Sequence, residues 1–236
     1  MICFLTSATG PFQTPALYTE YGFTDRLRRD LPDPVRALWI ANDPADYVRA
    51  EPFALEVRDA FVNAGFRMAE YVMLDNRNAD RAKELTAGAD LIILSGGEVA
   101  VQNRFFARIR LKELLADWDG VLVAISAGTM NSAETVPVPP SGPGDPTDPA
   151  QWPVLPGLGL TKHHVVPHFQ YIRTQSMPGI GPMEAYFRSV SRTRPLLALD
   201  DTAYLYRDAV GNEEICGRAY RIADGTIVPW PPERDV

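Results

Sequence analysis

The sequence predicts an α/β domain with a mostly parallel central sheet and helices on both of its faces. Three observations carry that expectation. Short apolar runs alternate with helical stripes three times before residue 95. The runs are apolar at consecutive positions, as strands covered on both faces require. The spacing between runs leaves room for one crossover helix, the repeat unit of a parallel sheet.

The first strand is expected at residues 2–5, followed by a loop over 6–18 punctuated by Gly10, Pro11 and Pro15. A short helix fits 22–31, and a second buried strand fits 37–41 (A-L-W-I-A). Residues 52–64 place Phe53, Val57, Ala60, Phe61 and Ala64 on one helical face, and Gly65 suits the position after the helix end. A strand over 66–74, a helix over 80–87 and a strand over 90–94 (D-L-I-I-L) follow, and then a long amphipathic stretch over 101–118.

Residues 120–134 read G-V-L-V-A-I-S-A-G-T-M-N-S-A-E. The buried run stops at Ser126, whose neighbours Ala124 and Gly128 are small, and helix-favouring residues follow. This is the sequence form of a nucleophile elbow, a tight strand-to-helix turn that lifts a Ser hydroxyl above the sheet edge. The Ala127 amide at the helix start can then donate to a developing oxyanion, aided by the helix dipole. Ser is also a favoured helix cap, so the motif alone leaves a purely structural reading open. Gly96 and Gly97 end the neighbouring strand; in partnership with the elbow the Gly97 amide is the expected second oxyanion donor, while on its own the pair reads as a device for a compact turn.

Residues 136–156 hold eight of the 21 prolines, which excludes helix and central strand and suggests a rim or partial lid over the site. All three histidines fall in T-K-H-H-V-V-P-H-F (161–169). His163 and His164 lie at the start of the apolar pair and read as surface or packing residues. His168 lies at its end, where α/β sheets present ligands, and is the expected general base. No Cys pair or H-E-x-x-H accompanies them, so neither a metal nor another cofactor is expected. A helix over 183–190 and a strand over 195–199 lead to Asp200 and Asp201, where an acid could orient the imidazole or simply form a turn. Antiparallel strands over 203–207, 214–222 and 226–228 close the chain, and 229–236 read as a frayed tail. The working picture has a hydroxyl, an imidazole and a carboxylate delivered to one edge of a single sheet.

The totals narrow the function. The 236 residues suit one domain (1–236) burying roughly 70–75% of its unfolded surface. A net charge of −7, from 23 Lys plus Arg against 30 Asp plus Glu, leaves no broad basic footprint for nucleic acid. Cys3 and Cys216 sit in strand-like stretches and make no disulfide framework, which suggests a cytoplasmic home. The opening residues lack the basic segment and long apolar core of a signal peptide, and no run approaches the roughly 20 apolar residues of a membrane span.

Ser126, His168 and Asp201 come in the order Ser, His, acid, whereas an ordinary α/β-hydrolase has Ser, acid, His. Asp145 and Asp148 lie between the first two and would restore that order. The chain resembles the serine peptidases of the aspartyl dipeptidase (peptidase E) and cyanophycinase group, whose fold is class I glutamine amidotransferase-like (flavodoxin-like). The matching residues are L-I-I-L-S-G-G (91–97), Q-N-R-F-F (102–106), G-V-L-V-A-I-S-A-G (120–128), G-L-G-L (157–160), V-P-H-F (166–169), L-A-L-D-D (197–201) and G-R-A-Y (217–220). The resemblance covers about the second half of the chain in register and the first half by strand order only. It implies Ser126 as nucleophile, His168 as base, Gly97 and Ala127 as oxyanion amides, and Asp201 as third member, with Asp200 or an acid in 136–156 as alternatives.

Two departures stand out. Glu98 occupies a position where the group often has Asn or Gly, which changes hydrogen bonding beside the oxyanion site. The G-E-T-R-like segment tied to an acidic substrate side chain is replaced by Q-Y-I-R-T-Q-S-M-P-G-I-G-P-M-E (170–184), where Arg173 is the candidate carboxylate clamp. The expected activity is hydrolysis of a short peptide or related amide through an acyl-enzyme, by a monomer or homodimer. A non-catalytic small-molecule-binding domain and an esterase with the same triad are the alternatives.

Overall fold

The computed structural model describes residues 1–138, 140, 148–177 and 180–231. Strands β1 (Ile2–Thr6), β2 (Val35–Ile40), β3 (Met68–Leu74), β4 (Leu91–Leu94) and β5 (Val121–Ile125) are joined through helices α1 (Phe23–Asp30), α2 (Tyr47–Asn63), α3 (Ala82–Gly88), α4 (Val99–Arg108) and α5 (Leu111–Leu114). These five strands run parallel in the order β1-β5-β4-β2-β3. Alternation along each strand divides the core into two layers. Leu5, Leu38, Ile40, Leu122 and Ala124 pack with α3 and α4 residues such as Ala82 and Phe105. Phe4, Trp39, Val121, Val123 and Ile125 pack on the other face with Phe23 and Leu27 of α1 and with Val57 and Phe61 of α2. Each of the larger side chains contributes about 1.5–3 kcal/mol by leaving water, so the consecutive apolar runs are the sequence record of a sheet covered on both faces.

Three expected boundaries shift for local reasons. Helix α2 begins at Tyr47, five residues before the expected start at Pro52, because the Asp46 carboxylate caps the Arg49 amide, and Pro52 lies inside the helix. The amphipathic stretch over 101–118 divides into α4 and α5 where Arg110 takes a left-handed φ of 57°. Helix α6 (Ala127–Asn131), which follows β5, ends before Glu134, whose amide turns away to the Thr161 carbonyl.

The second half builds more than one sheet. The proline-rich segment is framed by a ribbon of β6 (Thr135–Pro137) and β7 (Val154–Pro156), with Thr135 opposite Pro156. Strand β8 (His164–Val166) leads into α7 (Phe169–Ile172), a small ribbon of β9 (Ser176–Met177) and β10 (Gly181–Pro182), and helix α8 (Met183–Val190). Strand β11 (Leu196–Leu199) then pairs parallel to β8 and antiparallel to β14 (Ala219–Ala223), which pairs with β15 (Thr226–Pro229). Strands β12 (Tyr204–Arg207) and β13 (Glu213–Cys216) instead return to the central sheet, extending it beyond β1.

Residues 214–222 are therefore two strands in two sheets. The break is Gly217, at φ 101°, where a Cβ would lie 2.8 Å from the Tyr21 ring and 2.9 Å from Ala203 Cα. The expected single sheet edge is corrected in the same way. The elbow ends a strand of the central sheet, whereas the histidine and the acids follow β8 and β11 of the second sheet. Nor does the chain fray at 229, because Pro229 closes β15 and the Trp230 amide donates to the Ala219 carbonyl.

Candidate active site

Ser126 sits between β5 and α6 at φ 50° and ψ −106°, a region that a non-glycine residue enters only under strain of about 1–3 kcal/mol. Its surroundings hold it there. The Ser126 amide donates to the Thr6 carbonyl at 3.0 Å, its own carbonyl accepts from the Met130 amide at 3.0 Å, and the Thr129 hydroxyl spans the Thr6 and Ala124 carbonyls. Small neighbours are obligatory. A Cβ on Gly128 would lie 2.7 Å from the Leu94 carbonyl oxygen, and one on Gly96 would lie 3.3 Å from Ser126 Cβ.

His168 joins β8 to α7, also in a left-handed conformation, at φ 57°. Its amide donates to Ser7 Oγ at 3.1 Å, and that buried hydroxyl donates to the Leu199 carbonyl at 3.1 Å. Ser7 follows β1, so one hydroxyl ties the central sheet to the ends of β8 and β11. The imidazole Nδ1 lies 2.6 Å from Asp201 Oδ1, and the Asp201 amide donates to Gln170 Oε1 at 3.1 Å. With Nδ1 engaged by the carboxylate, Nε2 is the nitrogen left for proton transfer. Ser126 and His168 both line a cavity of about 500 Å³ that Asp201 also borders, and both line a second cavity of about 360 Å³. No hydrogen bond joins the two side chains among the described residues, and catalytic contacts of this kind commonly tighten only when substrate binds.

The other acids have different surroundings. Asp200 makes no hydrogen bond with the imidazole among the described residues. Burial first, and Asp201 in addition, push its carboxyl above the usual range against the pull of Arg218, whose Nε stands 3.9 Å away. Asp148 accepts from the Ala150 amide at 3.0 Å and the Gln151 side chain at 3.3 Å, closing its own turn, and Asp145 lies outside the described residues. The histidines diverge. His163 Nε2 is 3.4 Å from Glu213 Oε2, and His164 Nε2 is 2.9 Å from Thr135 Oγ1.

Two expected substrate residues lie elsewhere. Arg173 is held by Glu184, with 3.0 Å from Nε to Oε2, and stacks over the Phe169 ring, so it borders neither cavity at Ser126. Glu98 borders a neighbouring cavity together with Gly97. The Asn42 side chain brackets the Glu98 backbone there, accepting from its amide at 3.0 Å and donating to its carbonyl at 2.9 Å. Gly96 is the glycine on the Ser126 cavity, and the peptide joining it to Gly97 carries the Gly97 amide. Sequence reading missed Ser7, Asn42 and Glu56, the last an acid of α2 on the wall of the larger cavity. No motif marks them; the only available signal was a polar residue just past the carboxyl end of a strand, which holds for Ser7 and Asn42 but not for Glu56.

A family model described as Peptidase family S51 matches residues 44–214, most of the chain, a span that includes Ser126, His168 and Asp201. The chain belongs to peptidase family S51. As an S51 member it is a serine peptidase, and the non-catalytic reading is set aside. The fold agrees. A crystal structure of a peptidase from an acI-B1 Actinobacterium superposes with a TM-score of 0.70 at 17% identity, covering 100% of this chain and 96% of that one. A candidate peptidase E protein from Listeria monocytogenes EGD-e gives 0.57 at 12% identity, covering 93% and 96%. No match was found among curated proteins. No helix among the described residues is long and apolar enough to cross a membrane.

Proposed function

We propose that this S51 peptidase is a cytoplasmic dipeptidase-like enzyme, a monomer or homodimer that cleaves a short peptide or related amide without a cofactor. The observation that carries the reading is the 2.6 Å contact between His168 Nδ1 and Asp201, on the rim of the cavity that the strained Ser126 borders. His168 Nε2 takes the Ser126 proton as Oγ bonds to the substrate carbonyl carbon. The Ala127 and Gly97 amides donate to the oxyanion. Collapse breaks the C–N bond, the imidazolium gives its proton to the leaving amine, and an acyl ester remains on Ser126. Water, deprotonated by the same imidazole, then releases the acid. Asp201 orients the ring and stabilises its charged form without taking the proton.

The test is kinetic and covalent together. Ser126→Ala and His168→Ala are expected to lower kcat/KM on a cleaved dipeptide by about 10⁴-fold or more, and a fluorophosphonate is expected to label wild type but not Ser126→Ala. Undiminished hydrolysis in either variant would remove the assignment. A panel of acyl esters run alongside separates peptidase from esterase.

A further inference from the structure

The cavity of about 360 Å³ beside Ser126 and His168 is large enough for a bulky side chain, within the range of specific small-molecule pockets. Its wall comes from the second sheet and its cover. Val166, Ile172, Met183, Phe187 and Leu196 line it, and Trp152 from the proline-rich segment packs on Tyr186 with ring centroids 5.5 Å apart. Among the described residues, neither this wall nor that of the larger cavity carries a lysine or arginine. The arginine nearest in sequence to the site, Arg173, is already paired with Glu184. Burial, reinforced by Arg194, holds His164 on this wall below the usual imidazole range, so it stays neutral at neutral pH. An aspartyl carboxylate placed here would lose part of its hydration and meet no lysine or arginine on the wall, a cost of several kcal/mol for an ionised group. An apolar side chain meets the opposite situation, since every Å² it buries is favourable.

Trp152 and Tyr186 line the cavity, but Trp152 Nε1 and the Tyr186 hydroxyl are closed off within its wall, so neither polar atom interrupts the apolar surface that a side chain would meet.

We propose that this pocket is the main specificity subsite, and that the enzyme selects peptides with a large apolar or aromatic residue, rather than aspartate, on one side of the scissile amide. The proposal rests on the reading of Ser126 as the nucleophile. It separates this chain's substrate class from that of the aspartyl dipeptidases it resembles.

The experiment measures kcat/KM for wild type on Phe-Ala, Leu-Ala, Asp-Ala, Ala-Phe, Ala-Leu, Ala-Asp and Ala-Ala. At one of the two positions Phe or Leu is expected to exceed Asp by about 100-fold or more. Met177, half-exposed at the pocket mouth, supplies a filling variant. Met177→Trp is expected to lower the ratio of Phe to Ala substrates at that position by about tenfold or more. Aspartate equal to or better than Phe at both positions, with cleavage still lost in Ser126→Ala, overturns the pocket proposal and leaves the peptidase mechanism standing. A Phe-to-Ala ratio unchanged by Met177→Trp overturns it equally. Cleavage that survives in Ser126→Ala overturns the catalytic reading and the pocket proposal together, whereas a wild type that cleaves Ala-Ala but none of the Phe or Leu substrates overturns the pocket proposal alone.

Discussion

Asp200 and Asp201 are neighbours in sequence with opposite roles, and the difference is measurable. Asp201→Asn keeps the shape beside His168 but removes the charge that holds the ring in the right tautomer, so kcat is expected to fall by about 10²–10⁴-fold. Asp200→Asn removes a buried carboxyl with one oxygen unpartnered among the described residues, and activity is expected to stay within a few-fold. The sign of its stability effect follows from its raised pKa. The native state favours the protonated acid, so the stability this group contributes is full below the unfolded value, about 3.8, and is lost as pH rises through the folded value. Asp200→Asn is therefore expected to raise the melting temperature at pH 7 and to lose that advantage below about pH 3.8, as thermal melts across pH would record. At this scale the sequence was readable for Ser126, His168 and Asp201, because each ends an apolar run. Choosing between the two aspartates was not possible from the residues alone, since the choice depends on which side of β11 faces β8's end. Ser7 acts only through partners 161 and 192 positions away, and nothing local announces it.

The elbow is an element-scale device whose requirement is close packing, and glycine substitutions separate packing from conformation. Gly128 meets the Leu94 backbone, which cannot swing aside as a side chain would. Gly128→Ala must push α6 away from β4, and Ser126 moves with it. A loss of about 1–3 kcal/mol is expected, with a larger proportional loss of activity than of folded protein. Gly65, after α2, takes φ 89° but faces open space, so Gly65→Ala is expected to cost only about 1 kcal/mol and to leave kcat alone. Denaturant melts and dipeptide turnover on the two variants check the contrast. Equal effects on activity would mean that the elbow tolerates displacement. The elbow was legible because its demand for small residues is written at adjacent positions. The start of α2 was not, because the Asp46 cap and the Pro52 signal compete and only packing of the first turn decides between them. The end of α4 was obscured for a related reason: a residue entering left-handed space, as Arg110 does, leaves an amphipathic pattern unbroken in sequence.

The whole molecule is two sheets meeting at one site, and its acid stability reports on the meeting. The central sheet was visible as a succession of long apolar runs. The second was hidden because β8, β11 and β14 are short, pair across long separations, and share a stretch with the central sheet until Gly217 divides it. His164 lies on this second sheet, half-buried, with Nε2 on Thr135 of the proline-rich ribbon. Burial, then the nearby Arg194 and His163, lower its pKa, while hydrogen bonds at Pro195 and Thr135 oppose the shift. A folded value below the unfolded 6.5 means that the unfolded chain binds the proton more readily. The stability this group contributes is thus complete above about pH 6.5 and is lost progressively as pH falls through the folded value. The decline is expected to loosen the ribbon and the pocket wall it carries before the central sheet, whose core holds no such group. Hydrogen exchange at pH 7.5 and pH 5.5 should show protection falling first at Thr135–Pro137 and Val154–Pro156. His164→Gln, which keeps a hydrogen-bonding side chain without a titrating one, should flatten that difference. If exchange rises equally in β4 and β5, the two sheets unfold as one unit and the histidine is not the weak point.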